Sequence, residues 1–306
     1  MIRHLPRDSR RLFASASIYR HNYSPATKSK LLNNMKFSAP ATLVAALSSA
    51  SAWSSTPFIS KTRVFTAAAL NAFSVDQSGE AATESFRLNF KSADAGAISP
   101  WHDIPLEGSD GSYNMVVEIP KMTKAKMEVA TKEEKNPIAQ DIKKGNLRDY
   151  HGPIFWNYGC LPQTWEDPNV EHPELKVNGD DDPIDVVEIG SAALGMGIVK
   201  EVKVLGVLAM IDDGELDWKV VAVATDDPLA SEYNDIDDVP EAVKSGIREW
   251  FRWYKTPDDK PLNGFGFDEK FLDAATAKAV IAETNEAWKK LRSGETEAGK
   301  LWVGKA

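Results

Sequence analysis

The 306 residues, 42% of them hydrophobic and 9% aromatic, are enough to close a packed core and exclude a disordered chain. Charge splits the chain: residues 1–75 hold ten Lys or Arg against one acid, Asp8, whereas the rest holds 26 basic and 44 acidic residues, a net of −18. A body that acidic attracts cations and repels polyanions, so neither nucleic acid nor membrane is an expected partner, and the lone cysteine, Cys160, excludes an intrachain disulfide.

The basic stretch 1–75 reads as a targeting leader. From Met1 to Arg20 it has five Arg, scattered Ser and one acid, as in a mitochondrial presequence. From Met35, Lys36 precedes the small-residue apolar run Phe37 to Trp53, which ends Ala50-Ser51-Ala52-Trp53 like a secretory signal with its cleavage site. Basic, Ser/Thr-rich sequence with Lys61 and Arg63 follows, an order that resembles the two-part leaders of algae with secondary plastids. Met35 is therefore the favoured working start and the plastid stroma the expected compartment, with the mitochondrion as the alternative. No run of eighteen apolar residues marks a transmembrane helix.

From about Phe86 the pattern changes to short β-type runs between Gly, Pro, Asn and Asp, and residues 85–306 are expected to form the folded domain. Strands are expected at Met115 to Ile119, Lys126 to Ala130, Ile184 to Ile189, Gly197 to Met210 as two with a bend at Gly206, and Trp218 to Thr225. The turn-rich stretch Asn157 to Val177 has no strong periodicity and reads as a long ordered connection. Asp238 is placed to cap a helix with Pro240 in its first turn, where Val243, Ile247, Trp250, Phe251 and Tyr254 recur at helical spacing. A second helix is expected from about Asp273 to Leu291. The fold class is mainly β with α: a small closed β-barrel with helices outside it. Trp250 and Trp253 suit either a dimer contact or the core, so monomer and homodimer both stand.

The strongest chemical signal is Gly179-Asp180-Asp181-Asp182-Pro183-Ile184-Asp185-Val186-Val187-Glu188-Ile189, a carboxylate-rich turn running into a strand. Alternation puts Asp185 on the face of Val187 and Ile189, so it points inward if that face is the core. Clustered carboxylates repel by roughly 4 kcal/mol per close pair at an effective dielectric near 20, and a bound cation removes that cost. Oxygen ligands without His or Cys select hard ions such as magnesium or calcium. An EF-hand register fails, because position 6 falls on Asp185 rather than Gly and position 12 on Ser191 rather than Glu. A second acidic group, Asp212-Asp213-Gly214-Glu215-Leu216-Asp217-Trp218-Lys219, joins two apolar strands so that Asp212 and Asp217 stand at one rim, with Lys219 on the face of Asp217. Lys126 and Glu128 share the strand face opposite Met127 and Val129, where an exposed ion pair would explain them equally well.

These elements are joined by Glu118-Ile119-Pro120, Lys144-Gly145-Asn146-Leu147-Arg148, Asn157-Tyr158-Gly159, Pro162-Gln163-Thr164-Trp165-Glu166-Asp167-Pro168 and Tyr254-Lys255. Their order resembles family I soluble inorganic pyrophosphatases of the eukaryotic branch, over roughly Trp101 to Leu291. The resemblance implies a five-stranded OB-like barrel with flanking helices, magnesium as cofactor, and hydrolysis of inorganic pyrophosphate to two phosphates by metal-activated water. It implies metal ligation by Asp180, Asp185, Asp217, Asp212 and Glu128, and proton acceptance from the attacking water by Asp182. Lys126, Arg148, Tyr254 and Lys255 match groups that hold the phosphoryls, and Glu118, Tyr158 and Lys219 match supporting positions. Ile154 stands where the family often has a Tyr four residues before Tyr158, so either Tyr150 substitutes or that hydrogen bond is missing. Two other readings are a non-catalytic OB-type binding module, which needs a basic groove with stacking aromatics, and a different phosphotransferase, which no Gly-rich phosphate loop supports.

Overall fold

The computed structural model describes residues 73–304; the expected leader, including both start positions, lies outside the described residues except for Phe73, Ser74 and Val75, which begin the first strand. In chain order the strands are β1 (Phe73–Ser78), β2 (Arg87–Ser92), β3 (Gly96–Ile98), β4 (Tyr113–Ile119), β5 (Met127–Val129), β6 (Ile138–Gln140), β7 (Ile142–Lys143) and β8 (Asn146–Leu147). They continue with β9 (Asn157–Cys160), β10 (Asp185–Glu188), β11 (Val199–Asp212), β12 (Glu215–Ala224), β13 (Gly264–Phe265) and β14 (Leu272–Asp273). Among the described residues there are two α-helices, α1 (Glu241–Trp253) and α2 (Ala274–Ser293), with short 3-10 turns between the elements.

Five strands close on themselves. β4 pairs antiparallel with β9, β9 with β10, β10 parallel with β12, β12 antiparallel with β11, and β11 returns to β4. This is the expected small barrel, and the parallel β10–β12 pair sets Asp185 opposite Lys219. A smaller sheet of β1, β2, β6 and β5, with β3 beside β2, lies outside the ring. Its first strand begins at Phe73, ahead of the change in sequence pattern at Phe86.

Three expectations need correction. Asn157–Cys160, read as part of a connection, is a fully buried strand of the ring, paired between β4 and β10. Polar Asn157 and Gly159 hide it from any hydrophobic count, yet both are structural. The Asn157 amide donates to Glu188 at 2.7 Å and to the Ala192 carbonyl at 2.9 Å, and a Cβ on Gly159 would lie 1.9 Å from the Val116 carbonyl oxygen. The run expected as two strands is one fourteen-residue strand, β11, with a bulge between Val204 and Gly206; the bulge bends it without breaking it. Asp238 caps no helix: it ends a 3-10 turn and accepts from the backbone of Asn234 and Asp235, while Pro240 stands at the α1 N-cap.

Alternate residues of β12 serve two sides. Leu216, Trp218, Val220 and Ala222 pack in a cluster with Ala277, Val280 and Ile281 of α2, the helix expected from about Asp273, whose N-terminus Asp273 caps. Val221 and Val223 pack in the other cluster with Ile247 and Phe251 of α1. Each such side chain contributes about 1.5–3 kcal/mol when fully buried, so packing far outweighs helix propensity in docking either helix. Trp250 joins the α1 cluster, whereas Trp253 is exposed.

Candidate active site

On the α1 side of the ring, Asp217 and Lys219 share the phase of Val221, and Asp185 shares that of Val187. Polar side chains at one end of an otherwise apolar face need partners, and Lys219, buried between strands, donates to both Asp185 and Asp217. The Tyr158 hydroxyl, from the neighbouring β9, donates to Asp185 as well. A bulge in the β4–β9 pairing falls between Val117 and Ile119, and the residue displaced is Glu118. Its carboxylate accepts from the Val129 backbone N–H at 2.7 Å and faces the same space. Bulges re-aim side chains in this way next to functional sites.

The turn before β10 hangs on the segment Trp165-Glu166. Asp181 N–H donates to the Glu166 carbonyl and Glu166 N–H to the Asp182 carbonyl, both at 3.0 Å. Asp181 takes a left-handed φ of 71°, which Asp tolerates better than most residues. Its carboxylate turns away to the Trp165 indole N–H at 3.1 Å, leaving Asp180 and Asp182 to face the cleft.

The opposite wall is cationic. Lys126 pairs with Glu128 and, at 3.3 Å, with Asp141; Arg148 Nη1 donates to the same Asp141 at 2.9 Å. Tyr254 and Lys255 follow the end of α1 and reach Asp212, the tyrosine hydroxyl at 3.0 Å. All thirteen residues singled out from sequence therefore line one cleft of about 390 Å³. The Lys126–Glu128 pair, ambiguous in sequence, belongs to this wall rather than to an open edge.

Burial and mutual repulsion dominate the floor. Burial, with the nearby Glu128, pushes the Asp182 carboxyl up to about 7. Burial does the same to Asp217, which also rises to about 7 although Lys219 opposes the shift. Asp180 and Glu118 rise well above the usual carboxylate range, first through burial and then through neighbouring Asp217 and Asp185 respectively. Burial alone would discharge Lys219, but Asp185 and Asp217 outweigh it and hold the ammonium charged. Lys126 is likewise held charged against burial, by Glu128, Tyr150 and Asp141.

Two positions at the site, Asp141 and Glu166, carry no role in the sequence reading, and a third, Tyr150, stands there only as a substitute at the Ile154 departure. Asp141 joins Lys126 to Arg148; the β7–β8 hairpin register, Ile142 opposite Leu147 and Lys143 opposite Asn146, extends to place it across from Arg148, which is the signal that could have found it. Glu166 brings a carboxylate oxygen within 4.8 Å of oxygens of Asp180 and Asp217. Its Oε1 accepts from the Trp218 backbone at 2.9 Å, whereas its buried Oε2 has no hydrogen-bond partner among the described residues. Tyr150, raised well above a normal phenol by burial, lines the cleft edge-on to Tyr254, with ring centroids 5.8 Å apart. Ile154 is fully buried in the core cluster and does not line the cleft.

A sequence profile described as inorganic pyrophosphatase matches residues 115–289. The chain belongs to the inorganic pyrophosphatase family. It is 52% identical over 230 residues to soluble inorganic pyrophosphatase 1, chloroplastic, of Chlamydomonas reinhardtii, covering 74% of this chain and 82% of that one. The type I inorganic pyrophosphatase of Toxoplasma gondii superposes with a TM-score of 0.69 at 48% identity, over 72% of this chain and 99% of the other. An N-terminally truncated vacuolar soluble pyrophosphatase of Trypanosoma cruzi, solved in complex with pyrophosphate, gives 0.68 at 41% identity, over 79% of this chain and 100% of the other. The pyrophosphatase match begins at Met115, so it takes in nearly all of the ring and of both helices, while strands β1 to β3 of the outer sheet lie ahead of it.

Proposed function

We propose that this chain hydrolyses inorganic pyrophosphate to two phosphates with magnesium as its cofactor. The observation that carries the reading is the juxtaposition in one cleft of a buried carboxylate floor with a wall of Lys126, Arg148, Tyr254 and Lys255. The floor suits a hard cation on its donor chemistry: every donor is an oxygen, Glu166 keeps one oxygen unpartnered, and its carboxylate groups together with those of Asp180 and Asp217. Asp180, Asp185 and Asp217 would hold the first ion, with Asp185 shared by a second, and Asp212 and Glu128 would hold others. Bound magnesium would lower the pKa of the attacking water and offset the charge of the phosphates.

The remaining work falls to the chain's own groups. As the water oxygen bonds to one phosphorus, its proton passes to the Asp182 carboxylate and the bridging P–O bond breaks, the leaving phosphate keeping the electron pair. Lys126, Arg148, Tyr254 and Lys255 hold the two phosphoryl groups in line and stabilise the charge that builds on them. Glu118, Tyr158 and Lys219 keep the floor in register through the contacts described above. Tyr150 takes the place of the tyrosine that Ile154 lacks, a role supported by its position in the cleft beside Tyr254.

The catalytic body begins no later than Phe73, where the first strand starts, and the basic stretch ahead of it serves as the leader. A plastid destination is supported by that acid-poor composition and by the chloroplastic relative of Chlamydomonas; import assays with plastids and mitochondria decide between the two organelles. The activity is tested by phosphate release from pyrophosphate by the full chain with magnesium, then with a chelator. Rapid release that stops on chelation is expected. A folded chain that releases none is a binding module and not an enzyme.

A further inference from the structure

The two walls of the cleft that carry the substrate-holding groups come from separate segments. Arg148 and Tyr150 follow the β7–β8 hairpin, whereas Tyr254 and Lys255 lead from α1 into a 3-10 turn, Thr256–Asp258. Lys260, beyond that turn, donates to Asp213 at 3.0 Å, next to Asp212. The segment from Tyr254 to Lys260 is thus fastened on one side to the β11–β12 turn.

Its other fastening is Asp258. Lys143 Nζ, in the hairpin between Asp141 and Arg148, donates to Asp258 Oδ2 at 2.6 Å. His151 Nε2, directly after Tyr150, bonds Asp258 Oδ1 at 2.9 Å. One carboxylate therefore grips both ends of the stretch that carries Arg148 and Tyr150. Among the described residues no backbone hydrogen bond joins that stretch to the Tyr254–Lys260 segment. The bonds from Lys143 and His151 also draw the Asp258 carboxyl down to about 2.

We propose that Asp258 is a positioning residue for the reaction: held by Lys143 and His151, it sets the separation between Arg148 and the Tyr254–Lys255 pair and so governs the grip on pyrophosphate. This rests on those residues holding substrate. An exposed ion pair contributes little to stability, so its value lies in geometry. Small displacements of phosphate-holding groups weaken binding far more than they weaken the fold.

The experiment is steady-state hydrolysis of magnesium pyrophosphate by the full chain carrying Asp258→Ala, with Asp258→Glu beside it. The expected result is a KM raised about three- to tenfold with kcat changed less than about twofold, and partial recovery in Asp258→Glu. Circular dichroism checks folding, and if Asp258→Ala does not fold, the pair Lys143→Met with His151→Gln applies the same test from the opposite wall. An unaltered KM in folded, active variants overturns the proposal, as does a loss confined to kcat. Absence of hydrolysis by the unaltered chain overturns instead the functional reading beneath it.

Discussion

The floor and the rim of the cleft are built by different means. Asp185, Asp217 and Lys219 stand on barrel strands whose backbones are paired on both sides, and Asp180 and Asp182 on a turn pinned by two backbone bonds to Glu166. Arg148 stands just past a two-residue-stranded hairpin, its backbone bonded to Asp141 and Lys126, and Lys255 stands beyond a helix end; ion pairs to Asp141 and Asp212 aim the two side chains. Like charges that must remain close need the most constrained backbone available, because any slack would let them separate. Groups that grip and release a polyanion need only be steered, and ion pairs suffice for that.

The sharpest test of the floor is Asp182→Asn, which keeps shape and loses the proton acceptor. Turnover should fall by about 10²–10⁴ while the melting temperature holds or rises, since the floor loses a repelling charge. Undiminished activity would remove Asp182 from its role. A second substitution breaks the scaffold instead: Gly159→Ala forces a Cβ to within 1.9 Å of the Val116 carbonyl. A loss of about 3 kcal/mol is expected, read from the denaturant midpoint, and an unshifted midpoint would show that the ring gives more readily than the floor requires. The smallest effect belongs to the rim. Arg148→Lys keeps the charge but not the planar fork that holds Asp141 and, on the proposed function, substrate together. KM should rise about tenfold, the equivalent of one charge-assisted hydrogen bond, with stability unaltered; a matching collapse in stability would make Arg148 part of the scaffold.

That contrast also sorts what was legible in the sequence. Strands that alternate or run apolar, such as β4, β10 and β12, and the amphipathic α2 were visible, because their periodicity records which side is buried. The inward turn of Asp185 followed from its phase with Val187. β9 was invisible because its residues are chosen for backbone clearance and for pairing with Glu188, neither of which has a period. Glu118 lay in plain view as a residue, but its direction depends on a bulge set by a strand forty residues away. The convergence of Lys126, Arg148 and Lys255 came from motif resemblance alone; their spacing permitted ordinary surface roles. Asp141 and Glu166 were passed over because each works through a neighbour, a relation visible only once the chain is folded.

Closure of the ring has a bearing on how copies of the chain meet. Each of its five strands is already paired on both sides, so none offers free backbone groups to a neighbour. Among the described residues the edges that remain are β3 and β5, three residues each, β7, β8, β13 and β14, two each, and β1, which exposes Asp76, Gln77 and Ser78. Short, polar edges are poor templates for strand addition. The fold that concentrates repelling charge in one cleft is thereby shielded from the sheet-to-sheet aggregation to which open β-proteins are prone.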